Sequence, residues 1–232
     1  MRKVVIGTGW YADEKGHNNK NVALYVQNST FFREMWIPHI RKQLKEQLGA
    51  IVIYQSDCTR KIFSTGDKDV ILIQGLRAPD QHHHNDSGAT QMSGAMYALC
   101  NEMDYVFVEQ DCFILGFSGA LSWARQNFVS VAFSMHNYSQ DLSRGEHCFM
   151  YVSYEYLKTY ITKLMNANWH KWDEGRGFPE LHVVDMFGND AARWPFGYGR
   201  KRPINWNDHI LYLQQPTEDD LKHVEEQLSK RF

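Results

Sequence analysis

In the first half of the chain, short apolar runs alternate with stretches of helical periodicity, and this order constrains the fold more than any other feature. The apolar runs occupy residues 4–6, 50–54, 70–73 and 105–108. Apolar side chains recur at every fourth position from Phe32 to Leu48, and residues 88–103 again show helical spacing. The order β–α–β–β–α–β predicts a parallel sheet with helices on both faces.

The second half of the chain has a different pattern of predicted elements. Its predicted elements are strands at 129–134, 148–152 and 210–213 and a helix at 154–165. Thr217 and Asp220 form a capping-box pattern that begins a C-terminal helix. Because 232 residues suffice for one sizeable core, we predict a single domain with two halves, residues 1–115 and 116–232.

Charge and composition exclude some classes of function. The net charge of −2 and the isoelectric point near 6.6 give no electrostatic case for binding nucleic acid. There is no signal-peptide pattern and no apolar run of about 18 residues, so we predict no membrane span and leave peripheral attachment open. The four cysteines lack CxxC spacing, which argues against a zinc site and favours a cytoplasmic location.

Polar residues follow three of the predicted strands, at the edge where open α/β sheets bind ligands. The end of the run at 105–108 is the most informative, because Glu109 and Asp111 lie two residues apart. On an extended segment their carboxylates would point the same way and could share one divalent cation. The alternative is that both carboxylates only solvate or cap the end of a strand.

A helix rich in small residues precedes this strand. The relevant segments are Asn85-Asp86-Ser87-Gly88, Gly94-Ala95, Ala98-Leu99 and Asp104-Tyr105-Val106-Phe107-Val108-Glu109-Gln110-Asp111. They resemble the core of the GT-A-fold glycosyltransferases, in which the strand ends in Asp-x-Asp or a variant such as Glu-x-Asp. The resemblance implies a Rossmann-like α/β domain with a mostly parallel central sheet, helices on both faces and a smaller mixed second half.

The resemblance also implies roles for individual side chains. Asp111 is the implied ligand of Mn²⁺ or Mg²⁺, with Glu109 as a helper and His209 as a further ligand. Glu180 is the implied catalytic base, and Asp185 is the second choice. The residues implied to bind a nucleotide-diphospho-sugar are Thr8, Gly9, Trp10, Tyr11, Asp57, Arg77, Asn85, Glu109, Gln110 and Arg200.

These positions also have structural alternatives. Residues 8–11 could be a turn with core aromatics, and Asp57 could cap a turn. Glu180 could be a solvated loop residue, and His209 could be a structural histidine.

Together with the acidic end of the strand at 105–108, the resemblance implies a metal-dependent, inverting glycosyltransferase of glycan or polysaccharide synthesis. It would move a sugar from a nucleotide-diphospho-sugar donor to a hydroxyl of a carbohydrate or glycolipid acceptor. A sugar nucleotidyltransferase is one alternative, although residues 7–11 lack the Lys or Arg of its phosphate loop. A non-catalytic carbohydrate-binding protein is another, suggested by the aromatic content of 14%.

Overall fold

The structure, a computed structural model, describes residues 1–10, 32–55, 66–75, 84–135, 145–167, 186–187, 190–195, 204, 206, 212–214 and 216–230. Within these residues, seven strands form one sheet and two strands form a second. The strands of the larger sheet are β1 (Val4–Trp10), β2 (Leu48–Gln55), β3 (Val70–Gln74), β4 (Asp104–Val108), β6 (Val131–Met135), β7 (Gly145–Val152) and β8 (Ala191–Arg193). The second sheet pairs β5 (Cys112–Ile114) with β9 (Tyr212–Gln214).

The larger sheet is mostly parallel. Its strand order is β3-β2-β1-β4-β7-β6-β8. The pairs β1–β2, β1–β4, β2–β3 and β6–β8 are parallel, whereas β7 runs antiparallel to both β4 and β6. The sheet therefore joins strands from both halves of the chain, and the predicted α/β fold class is confirmed.

Helices lie on both faces of the larger sheet. They are α1 (Ile37–Leu44), α2 (His84–Cys100), α3 (Phe117–Gln126), α4 (Leu157–Asn166) and α5 (Glu218–Lys230). Because side chains alternate along a strand, β1 contributes to two cores. Val4 and Ile6 pack with α1, α3 and α5, and Val5 packs on the side of α2 and α4. No helix in the described part of the chain is long and apolar enough to cross a membrane.

The helix predicted from Phe32 to Leu48 is shorter in the structure. A π-helical turn, Phe32–Trp36, leads into α1, and a 3₁₀ turn, Lys45–Gln47, ends the helical segment. Leu48 then begins β2, but it packs against the same core as Leu44. The apolar spacing therefore continued past the true end of the helix.

The sequence does not predict α3. Its N-cap residue is Gly116, which makes no side-chain capping bond, so the usual sequence signal of a helix start is missing. The Phe117 N–H instead donates to the Oε1 atom of Gln43, in α1, at 2.8 Å. A capping partner this distant in sequence leaves no local pattern.

β1 continues to Trp10, although residues 7–9 predict a tight turn. The glycines in this strand allow close packing. A Cβ atom at Gly7 would lie 2.5 Å from the hydroxyl of Tyr105, and one at Gly94 of α2 would lie 2.5 Å from the Cε2 atom of the same ring. The fully buried Tyr105 ring therefore occupies space that both glycines leave open.

A network of charged groups closes the amino edge of the sheet. Asp104, at the start of β4, is 3% exposed. Its Oδ2 atom accepts hydrogen bonds from the Nε (3.0 Å) and Nη2 (2.9 Å) atoms of Arg125, and its Oδ1 atom accepts one from the Tyr154 N–H (3.1 Å). Arg125 also donates to Gln47 Oε1 at 2.9 Å and to the Arg2 carbonyl at 2.6 Å. The network thus links α3 to the amino ends of β1, β2 and β4.

Candidate active site

β1 and β4 meet at the topological switch point of the larger sheet. From β1 the chain passes to β2 and β3 on one side, and α2 then leads to β4 on the other side. Ligands of open α/β sheets bind in the crevice beyond the carboxyl ends of strands at such a point. Gly7 lies beside Phe107 in the parallel β1–β4 pair. Residues 8–10, at the end of β1, and residues 109–111, which follow β4, therefore lie at the same edge of two adjacent strands, where the sequence predicts the site.

The predicted metal-binding residues, Glu109-Gln110-Asp111, form a turn between β4 and β5, which we call the acidic turn. The Cys112 N–H donates to the Glu109 carbonyl at 3.0 Å, and the Glu109 N–H donates to the Cys148 carbonyl at 2.9 Å. All three residues of the turn are partly exposed. Because β4 ends at Val108, strand alternation does not orient the two carboxylates as the sequence argument assumed.

The residues at the end of β1 are more buried than we expect for a loop that binds a nucleotide. Thr8 and Trp10 are each 1% exposed, and Trp10 belongs to the core on the α1 side. On the opposite face, a Cβ atom at Gly9 would lie 3.3 Å from the Oγ1 atom of Thr90. The amino-terminal half of α2 therefore packs directly against the end of β1. Contact of these residues with a nucleotide stays a prediction.

Buried polar side chains of α2 lie next to this edge and were not predicted as site residues. Thr90 and Gln91 are 6% and 1% exposed. The Tyr160 hydroxyl of α4 donates to the Oε1 atom of Gln91 at 2.7 Å. Burial raises the pKa of Tyr160, so its hydroxyl keeps its proton and remains a donor. The available signal was the polar pair Thr90-Gln91 within a helix otherwise rich in small residues.

The remaining predicted site residues are described only in part or not at all. Asn85 lies in the first turn of α2, at the amino end of this helix, which follows β3. The others lie outside the described residues: Tyr11, Asp57, Arg77, Glu180, Asp185, Arg200 and His209.

The acidic turn contains two carboxylates that could contribute to a metal site. Carboxylate oxygens are suitable ligands for Mg²⁺ and Mn²⁺. Among the described residues, no group of three or more His, Cys, Asp or Glu side chains could hold a metal ion. Glu109 and Asp111 alone would therefore leave most of a cation's coordination shell to groups other than the described side chains.

A cavity of about 460 Å³ lies away from this edge, between the end of α1 and the start of α3. Its lining includes His39, Lys42 and Lys45 from the α1 side and Gly116 and Ser118 from the α3 side. None of the predicted site residues that the structure describes lines it. The cavity therefore gives no support to the site at the switch point.

Comparisons with known proteins give a fold relationship. No protein-family model and no curated protein sequence matches the chain. A solved structure that does match is a glycosyltransferase involved in the glycosylation of the major capsid of PBCV-1. The match covers 97% of this chain and 99% of that chain, with a TM-score of 0.56 and 7% sequence identity. At this identity the likeness shows the fold: the chain has an α/β fold that a glycosyltransferase also uses.

Proposed function

We propose that the protein is a metal-dependent glycosyltransferase that uses a nucleotide-diphospho-sugar donor and a carbohydrate or glycolipid acceptor. The main support is the position of the acidic turn. It leaves β4 beside the end of β1, at the switch point where this class of sheet binds ligands. The fold shared with a glycosyltransferase along almost the whole chain makes sugar transfer the leading reaction class.

The orientation of α2 supports a donor that carries a diphosphate. α2 follows β3 and precedes β4, so its amino end lies at the carboxyl edge of the sheet. The contact of Thr90 with the end of β1 places the amino-terminal half of this helix beside the switch point. The amino end of a helix carries a partial positive charge, which stabilises phosphate groups nearby.

The proposed reaction joins an acceptor hydroxyl oxygen to the anomeric carbon of the donor sugar. The bond from that carbon to the diphosphate breaks, its electron pair leaves with the nucleoside diphosphate, and the hydroxyl proton passes to a base. Glu180 is the proposed base and Asp185 the second choice. Asp111 and Glu109, with His209, would hold the cation, and a bound cation would neutralise the charge of the departing diphosphate.

A nucleotide screen tests this proposal. Thermal unfolding is measured with UDP, GDP and CMP, each with and without MnCl₂, on the wild type and on Asp111→Asn. We expect one diphosphate to raise the unfolding midpoint only when manganese is present. Asp111→Asn should lose that rise and about a hundredfold or more of transferase activity, because charge stabilisation by a metal contributes several kcal/mol.

The control is Asp219→Asn, which makes the same chemical change on α5, where the side chain is 96% exposed. It should behave as the wild type does. A rise in the midpoint that is equal without manganese would reject the metal dependence. No rise with any nucleotide would reject the transferase and favour the carbohydrate-binding alternative.

A further inference from the structure

Side chains of the helical segment formed by the π-helical turn and α1 donate hydrogen bonds to backbone carbonyls of β5. Trp36, at the start of α1, donates from its indole Nε1 atom to the Cys112 carbonyl at 3.0 Å. His39, one turn later, donates from Nε2 to the Ile114 carbonyl at 2.6 Å. Gln43, one further turn on, donates from Nε2 to the same carbonyl at 2.6 Å. Three side chains of one helical segment thus supply hydrogen-bond donors to two backbone carbonyls of β5.

These contacts are buried and specific. Trp36 and Cys112 are each 1% exposed, and Ile114 is fully buried. The ring of His39 also stacks on Phe113, with centroids 4.3 Å apart and an interplanar angle of 25°. A buried carbonyl without a donor is costly, so the hydrogen bonds from Trp36, His39 and Gln43 stabilise β5 in this position.

Trp36 is linked to the acidic turn through a single residue, Cys112. Cys112 is the first residue after the turn, and its N–H closes the turn by donating to the Glu109 carbonyl. Its own carbonyl is the acceptor for Trp36. At the other end of the turn, the Glu109 N–H is held by the Cys148 carbonyl of β7. The turn is therefore fixed on one side by the sheet and on the other by Trp36.

We propose that Trp36 is a positioning residue for the acidic turn, acting through Cys112 and supported by His39. Neither side chain is a predicted ligand. Their hydrogen bonds hold the turn in one geometry before a ligand binds, which lowers the entropic cost of bringing two carboxylates to one cation. That the geometry serves a cation rests on the function proposed above.

The test compares Trp36→Phe with Ile40→Ala. Trp36→Phe keeps an aromatic ring and removes the donor to Cys112. Ile40 is a fully buried residue of the same helix that packs in the same core, so Ile40→Ala destabilises α1 without removing that donor. Two quantities are measured: the amide hydrogen exchange of residues 109–112, and the dissociation constant for Mn²⁺ from its electron paramagnetic resonance signal.

We expect Trp36→Phe to speed exchange in the turn and to weaken Mn²⁺ binding by about tenfold or more. Ile40→Ala should leave the exchange of the turn and the dissociation constant close to wild type. Equal effects of the two variants, or no effect of Trp36→Phe, would overturn the proposal. If the wild type binds no Mn²⁺, the proposed function fails. Faster exchange of the turn in Trp36→Phe, but not in Ile40→Ala, would then still support the positioning role of Trp36.

A second pair of variants applies if Trp36→Phe does not fold. His39→Leu removes one donor to Ile114, and His39→Gln restores a donor group. Because Gln43 shares that carbonyl, the expected effect of His39→Leu is smaller but has the same direction. Recovery of slow exchange and of Mn²⁺ affinity in His39→Gln supports the proposal, and identical behaviour of the two variants contradicts it.

Discussion

At the amino edge of the larger sheet a carboxylate is buried together with its partners, whereas at the carboxyl edge the carboxylates of the acidic turn are partly exposed. Asp104 and Arg125 form a buried pair with further backbone and amide partners. Near the carboxyl edge the described buried polar groups are neutral, such as Thr8 and Gln91, and the acidic turn stays partly exposed. The comparison indicates that the amino edge stabilises the fold, and under the function proposed above the partly exposed acidic turn would contact the ligand.

The largest expected effect tests the amino edge. Asp104→Ala should lower the free energy of unfolding by about 3–5 kcal/mol, because it leaves the largely buried Arg125 without its carboxylate. Denaturant unfolding measures this change. Asp219→Ala, which removes an exposed partner of Lys222, serves as the control and should change stability little.

The same variant separates the two edges. If it folds at low temperature, Asp104→Ala should bind manganese and the nucleotide as the wild type does, since Asp104 lies at the opposite end of β4 from the acidic turn. A loss of ligand affinity as large as that of Asp111→Asn would contradict the division of roles between the edges.

An intermediate effect is expected from the packing of α2 on β1. Gly94→Ala should destabilise the protein by about 1–3 kcal/mol, because the new methyl group would overlap the buried Tyr105 ring. Gly119→Ala, on α3, is the matched control, since its Cβ atom would meet no other atom within 4 Å. That variant should gain about 0.5–1 kcal/mol from better helix propensity. Similar effects of both substitutions would show that the close approach is not needed.

The smallest expected effect is a difference in pH dependence between His39, on α1, and the amino edge. Burial lowers the pKa of His39 below its ordinary value of 6.5. Its contribution to stability is therefore complete above pH 6.5 and is lost as the pH falls through the lowered pKa of the folded state. At the amino edge, the hydrogen bond from Arg2 lowers the pKa of Glu155. The contribution of this pair to stability is therefore lost only at a more acidic pH, below 4.5.

Thermal unfolding from pH 7 down to pH 5 measures the contribution of His39. The wild type should lose stability over this range, and His39→Gln should lose less because glutamine does not titrate. Parallel curves for the two proteins would show that protonation of His39 is not opposed by its surroundings.

Local patterns predicted those elements whose signals lie within a few residues. The alternating runs predicted β1 to β4, and the capping box is present as predicted: the Thr217 N–H donates to Asp220 Oδ2 at 2.8 Å, and the Asp220 N–H donates to Thr217 Oγ1 at 3.1 Å. The start of α3 was missed because its first N–H binds Gln43. A capping group on another helix cannot be recognised without the tertiary structure.

In the candidate site, too, only the features with a local sequence signal were predicted. The acidic turn was recognised from the order of residues at the end of a strand. The hydrogen bonds of Trp36 and His39 to β5 were not, because about 75 residues separate the partners. Sequence reasoning also assumed that Glu109 and Asp111 continue β4. Whether a strand stops or continues depends on its neighbours, and here the Cys112 N–H turns back to Glu109.

The pairing of β1 with β4 has a consequence for how the chain can be divided. Gly7 lies beside Phe107, about 100 residues further along the chain, and the proposed ligand crevice lies between these two strands. The β1–β2–β3 set can pair within residues 4–74, but it contains only one wall of the crevice. The second wall is formed by β4, which pairs with β1 only after the chain between them has closed a long loop. No fragment that stops before residue 104 can therefore carry the site, however well its own strands pair.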